Sequence, residues 1–216
     1  SGGYAANVYL TNTDSDISGY KKISYSVEPT EFELITTATN ETKLIKSFIY
    51  DSGVGITTLD SGSWDFYLTC KLNTVLNSNK IRADIFKRDI SNIETILFSS
   101  LSEELLNSEY LQLHFQNIQQ NITVNSTDRI GIKLYFITTN VNPVSLSIIV
   151  GDGRASYFTT PLALRHNQLR LPNEDLNVQH LNSSERFEGG LATGVANPSP
   201  LSSKDLSTLK KLTNEF

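Results

Sequence analysis

Side chains that switch between apolar and polar at every second residue, broken at short intervals by turn-forming residues, limit what this chain can fold into. The clearest run sets Trp64, Phe66, Leu68 and Cys70 against Asp65, Tyr67, Thr69 and Lys71, the pattern of a strand with one dry face and one wet face. Ile130, Ile132, Leu134 and Phe136 alternate in the same way with Arg129, Lys133 and Tyr135, and Leu111, Leu113 and Phe115 with Tyr110, Gln112 and His114. Further strands are predicted at 6–11, 20–27, 31–38, 43–50, 80–88, 93–99, 144–150 and 155–160. Turn residues separate them, among them Asp51-Ser-Gly53, Asp60-Ser-Gly62, Asn77-Ser-Asn79, Asn140-Val-Asn-Pro143 and Gly151-Asp-Gly153. About ten short strands at this spacing predict an all-β fold, an antiparallel β-sandwich of jelly-roll type. A parallel α/β sheet is excluded, because crossover helices are missing. Residues 102–107 have room for one helical turn, too short to change the class.

The pattern ends near residue 160, so 1–160 is predicted to be the β-sandwich domain and 161–216 an extended arm. Within the arm, 188–200 is rich in Gly, Ala, Asn and Pro. Ser202 stands three residues before Asp205 like a capping box, and Leu206, Leu209 and Leu212 follow at helical spacing, which predicts a short amphipathic helix near 203–213. A helix that short is marginal alone in water, so its leucine stripe is expected to meet a partner surface, as an oligomer contact or on the chain's own body.

Composition removes several function classes. The 216 residues carry 18 basic against 23 acidic side chains, a formal charge of −5, which removes the attraction that sequence-independent nucleic-acid binding needs. No apolar run approaches the roughly 18 residues of a membrane span, so membrane insertion is not expected. A single cysteine, Cys70, allows neither an intrachain disulfide nor a cysteine-type zinc cluster, and its place on the dry phase beside Trp64 marks it as core. The start Ser-Gly-Gly-Tyr lacks the features of a signal peptide, and there is no methionine, so a processed product or a piece of something longer is expected.

Few residues read as chemistry. Asp14-Ser-Asp16-Ile-Ser18-Gly19 imitates the start of a calcium loop, but Tyr25 stands where the loop's bidentate acid belongs, so the stretch reads as a turn and no metal site is assigned. His114, His166 and His180 lack the spacing of a helical metal site. There is no G-x-S-x-G elbow, and no pair of carboxylates stands out for glycoside hydrolysis, so no catalytic residue and no cofactor are assigned and the chain is not expected to be an enzyme. Sequons begin at Asn40, Asn121, Asn125 and Asn182, as chance alone would supply in a chain rich in Asn, Ser and Thr. Tyr67, Tyr110 and Tyr135 all lie on the outward phase of their strands. If those strands share a sheet, they form an exposed aromatic patch suited to a sugar.

The string Ser126-Thr-Asp-Arg-Ile-Gly-Ile-Lys-Leu-Tyr-Phe136 occurs with Trp64-Asp-Phe-Tyr-Leu68, Ile85-Phe-Lys-Arg-Asp89, Tyr157-Phe-Thr-Thr-Pro-Leu162 and Asn173-Glu-Asp-Leu-Asn-Val-Gln-His-Leu181. Together they resemble a β-sandwich module of virion surface and fibre proteins from tailed phages and large DNA viruses. The resemblance covers about residues 4–185 and leaves 186–216 unmatched. It implies a noncatalytic structural protein on the virion surface, fibre- or capsid-associated, that contributes to assembly or host attachment. The implied partners are other virion proteins and further copies of the chain, a trimer above all, and the tyrosine patch adds a host-surface glycan to the expected partners. The alternatives are a carbohydrate-binding module or adhesin of cellular origin and a polysaccharide-degrading enzyme.

Overall fold

Wherever the alternation runs between turn residues, the chain is extended. The computed structural model describes residues 6–76 and 78–161. The strands are β1 (Ala6–Asp14), β2 (Tyr20–Ser24), β3 (Phe32–Ala38), β4 (Thr42–Ile49), β5 (Thr58–Leu59), β6 (Gly62–Leu72), β7 (Asn79–Arg88), β8 (Glu94–Leu101), β9 (Leu111–Gln119), β10 (Ile122–Thr123), β11 (Arg129–Thr138), β12 (Val144–Val150) and β13 (Tyr157–Thr160). The fold is all-β, as predicted. The two-residue strands β5 and β10, which pair only with each other, are too short to show a period. Residues 102–107 form no helical turn, and two of their backbone donors are drawn across to β7. Ser102 N–H bonds Ile81 O (2.9 Å) and Leu105 N–H bonds Asn79 O (2.8 Å), which takes both donors out of an i to i−4 ladder.

The strands follow one hydrogen-bonded path, β3-β12-β6-β13-β1-β2-β4-β11-β7-β8. Strand β6 organises its first half. One edge pairs with β13 at Asp65–Tyr67 and with β12 at Cys70–Leu72, while the other pairs with β9 from Gly62 to Cys70. The β2–β4 pair is parallel, and the other pairings among the described residues are antiparallel. Register shifts interrupt the β1–β2, β4–β11 and β7–β8 pairings, with the extra residues on β1, β4 and β8, and such bulges bend a strand and let a sheet wrap.

The inward phases of the two halves meet in one core. Trp64, Phe66, Leu68, Cys70 and Leu72 of β6 share it with Ile81, Ala83 and Ile85 of β7 and with Ile132, Leu134 and Phe136 of β11. Trp64 packs edge-on against Phe98 of β8, a strand it does not pair with, at 5.2 Å between ring centroids. Cys70 is fully buried as expected, and burial pushes its thiol up to about 12. Leu111, assigned to a dry face, is exposed because it opens β9 at the sheet edge; of that strand Phe115 is buried and Leu113 packs half-buried against the core. The predicted arm lies outside the described residues from 162 onward, and with it the 203–213 helix, Leu206, Leu209, Leu212, His166 and His180.

Candidate functional site

On the outward phase of the first half, four rings stand in direct register across four strands. Tyr9 of β1 opposes Tyr157 of β13, which opposes Tyr67 of β6, which opposes His114 of β9. Their centroids are 5.5, 4.9 and 4.7 Å apart in that order, and the last two contacts are stacked within 20° of parallel, at 19° and 18°. Tyr67 therefore has one face covered by Tyr157 and the other by His114. It offers its edge and hydroxyl outward instead of the flat face expected from the sequence. The Tyr9–Tyr157 contact is tilted by 47°, which leaves a wedge between those two rings.

Tyr110 immediately precedes β9 and belongs to the same face. Lys71 Nζ lies 4.4 Å and the Arg154 guanidinium 4.9 Å from its ring centre. Its hydroxyl donates to Glu33 Oε1 at 2.5 Å, and burial together with that carboxylate pushes the phenol up to about 12. The same bond holds the Glu33 carboxyl below its ordinary range. Tyr135 is elsewhere: it lies on β11 in the other half of the path, under Arg82 at 4.5 Å. The structure thus places Tyr67 and Tyr110 on one sheet face, at separate points along β6 and β9, and leaves Tyr135 apart.

Beside the row of rings runs an open groove of about 650 Å³, lined by Tyr9, Tyr110, Gln112, Asp152, Arg154 and Tyr157 with Val27 and Thr69 at its margins. Its wall is the single 3-10 turn Asp152–Arg154, which is fixed from three directions. Asp152 N–H bonds Glu28 O at 2.7 Å. Arg154 forks onto Glu31, with Nε at 3.0 Å and Nη2 at 2.5 Å. Gly151 has φ +80°, and a Cβ there would collide with Thr30 O, so only glycine fits. The sequence signal for Tyr9 and Tyr157 was available, since both occupy the outward phase of their strands. Their opposition to Tyr67 is a matter of long-range register, which periodicity does not carry.

His114 Nε2 lies 2.9 Å from Asp65 Oδ1, and Ser63 Oγ donates to Asp65 Oδ2 at 2.7 Å. The carboxylate is thus in the middle of the three. A serine nucleophile needs its hydroxyl on the imidazole, so this cluster orients side chains on the sheet and does not activate Ser63. The Asp14–Gly19 turn holds protein cations where a metal would sit. Arg129 binds both oxygens of Asp16 (2.9 and 2.6 Å) and holds that carboxyl down at about 2, while Lys21 Nζ lies 2.8 Å from Asp14. Among the described residues no group of three or more His, Cys, Asp or Glu is placed to hold a metal ion, and no helix is long and apolar enough to cross a membrane.

No protein-family model and no curated protein sequence matches the chain. Solved structures do share its fold. A CocE/NonD family hydrolase from Staphylococcus aureus superposes with TM-score 0.53 at 11% identity, over 73% of this chain and 36% of that one. An aminopeptidase from a marine sediment archaeon, Thaumarchaeota archaeon, gives TM-score 0.53 at 5% identity over the same shares. The VP2 subviral particle of infectious bursal disease virus aligns at TM-score 0.30 and 12% identity over 69% of this chain and 44% of that one, too distant to support any inference. The chain spans about a third of the length of the hydrolases it resembles. The expectation that the chain is not an enzyme is corrected by these matches, because its fold is one that hydrolases carry. That likeness was not legible in the sequence, because the identity is only 11% and 5%.

Proposed function

We propose that the chain is a structural protein of a virion surface, fibre- or capsid-associated, which contributes to assembly or host attachment together with other virion proteins and further copies of itself. The observation that carries this reading is the outer sheet face. Its row of four rings and the groove beside it are fixed on paired strands and on a wall tied down by Gly151 and Arg154, a rigid surface that a displayed protein can turn toward a host. The strings around Trp64, Ile85, Ser126 and Tyr157, which resemble those of virion surface modules, support the same reading. Immunogold electron microscopy with antibodies raised against the chain tests it. Labelled particles are expected, and intact particles that stay unlabelled while the lysate reacts would overturn it.

A second reading is favoured by the TM-scores of 0.53 over 73% of the chain. In it the chain is the β domain of a longer hydrolase whose reacting groups lie outside these residues. Hydrolysis of amide or ester substrates by the full-length gene product, combined with unlabelled particles, would select it.

A further inference from the structure

The polar groups of the groove and Tyr9, the ring that ends the aromatic row on the groove side, converge on a ligand class. Tyr67 and Tyr157 are enclosed by ring neighbours, but Tyr9 ends the row. Tyr157 is tilted against one side of it, and among the described residues no aromatic or cationic group stacks on the other. Tyr9 lines the groove, with Val27 supplying further apolar surface. Gln112 and Asp152 also line the groove, both exposed, and their amide and carboxylate have no partner among the described residues. A free aromatic face with an adjacent carboxylate and amide matches a pyranose, which presents a flat C–H face and a rim of hydroxyls that donate and accept.

Charge narrows the class. The groove's one cationic lining side chain, Arg154, is already committed to Glu31 in a fork and to the Tyr110 ring, while Asp152 adds an unpaired negative charge. A sialylated or sulfated sugar would meet a carboxylate with no spare cation among the lining side chains, Lys71 lying against the Tyr110 ring outside that lining, so the anionic glycans are disfavoured.

We infer that this groove binds a neutral glycan, with a sugar ring against Tyr9 and its hydroxyls bonded by Asp152 and Gln112. The inference rests on the host-attachment reading and deepens it. The test is a glycan array probed with the full chain, followed by calorimetric titration of the best neutral oligosaccharide. Binding is expected to survive sialidase treatment. Tyr9→Ala and Asp152→Asn are each expected to lower affinity at least tenfold, while Tyr135→Ala leaves it unchanged. Asp152 has φ 53°, a conformation asparagine tolerates, so Asp152→Asn keeps the wall intact, and an unaltered melting temperature verifies this. A blank array, binding lost on desialylation, or wild-type affinity in both groove variants would each overturn the inference. Labelled particles with a blank array would remove the glycan and leave the virion reading standing. Unlabelled particles with glycan binding lost in the groove variants would do the reverse.

Discussion

Gly131 shows how little room the wet face of a strand can have. It opposes Phe86 across the β11–β7 ladder, and a Cβ there would press into the Phe86 ring and come within 2.5 Å of Phe48 O. Phe86 is fully buried although it lies on the outward phase, covered by Tyr20 at 6.2 Å and by Lys133 at 5.0 Å from its ring centre. Gly131→Ala is therefore expected to cost about 2–3 kcal/mol. Gly153→Ala, with nothing within 4 Å of the new methyl, should stay within about 0.5 kcal/mol of the parent. Urea denaturation separates the two, and equal midpoints would refute the packing account. The neighbouring string around Ser126 has a physical explanation as well. Ser126 O and Asp128 O accept from Gly55 N–H and Val54 N–H, both at 2.8 Å, Asp128 Oδ2 takes Lys87 at 3.1 Å, and Arg129 Nε donates to Tyr50 O at 2.7 Å. These residues knot two turns together, and the part of the sequence that most resembles a virion module does its work here as structure.

Strand β1 joins the two halves of the sheet. It pairs with β13 on one edge and β2 on the other, and β2 continues into β4, so an element near the start of the chain closes a path that β13 reaches 150 residues later. Loss of β1 would uncover both halves at once, so far-UV circular dichroism and the fluorescence of Trp64, the sole tryptophan, should report one coincident transition. Leu10→Ala, at a site 1% exposed, is expected to shift both signals together by about 2–5 kcal/mol. A tryptophan transition that separates from the circular dichroism transition would show instead that the halves unfold independently. Long alternations such as those of β6 and β11 were legible because each residue's choice of face is local. The sequence could not reveal partners. The 102–107 segment, the edge position of Leu111, and the opposition of Tyr9, Tyr157, Tyr67 and His114 all depend on which strand lies alongside, and the contacts that decide it join residues up to 148 positions apart. Half of the aromatic site was therefore readable as outward phase, and the covering of its ring faces was not.

At the scale of the whole molecule the carboxylates set how the fold responds to acid. Hydrogen bonds from Arg129 hold Asp16 at about 2, Lys21 holds Asp14 low, and Tyr110 does the same for Glu33. For Glu94, burial pushes upward, but bonds from Lys133, Tyr20 and Arg88 outweigh it. Asp128 follows the same balance, with Asn125 and Lys87 as donors. All five are depressed below unfolded values near about 4, so each contributes stability that is fully present above that pH and is lost as pH falls through the folded value. The groups are spread over both halves and the loops between them, so no single ligand-sized region carries the response. Urea midpoints should be flat from about pH 7 to 5 and should fall between about pH 4 and 2, as the chain's formal charge of −5 gives way to a positive one. In Asp16→Asn the Arg129 guanidinium keeps its bond to Tyr50 O and its neighbour Asp51 at 3.6 Å, so the fold persists while one depressed carboxyl disappears. That variant should lose less of its remaining stability between pH 4 and 2 than the parent does. A parent curve that stays level to pH 2, or an Asp16→Asn curve as steep as the parent's, would mean that these ion pairs form in the folded chain without contributing to its stability.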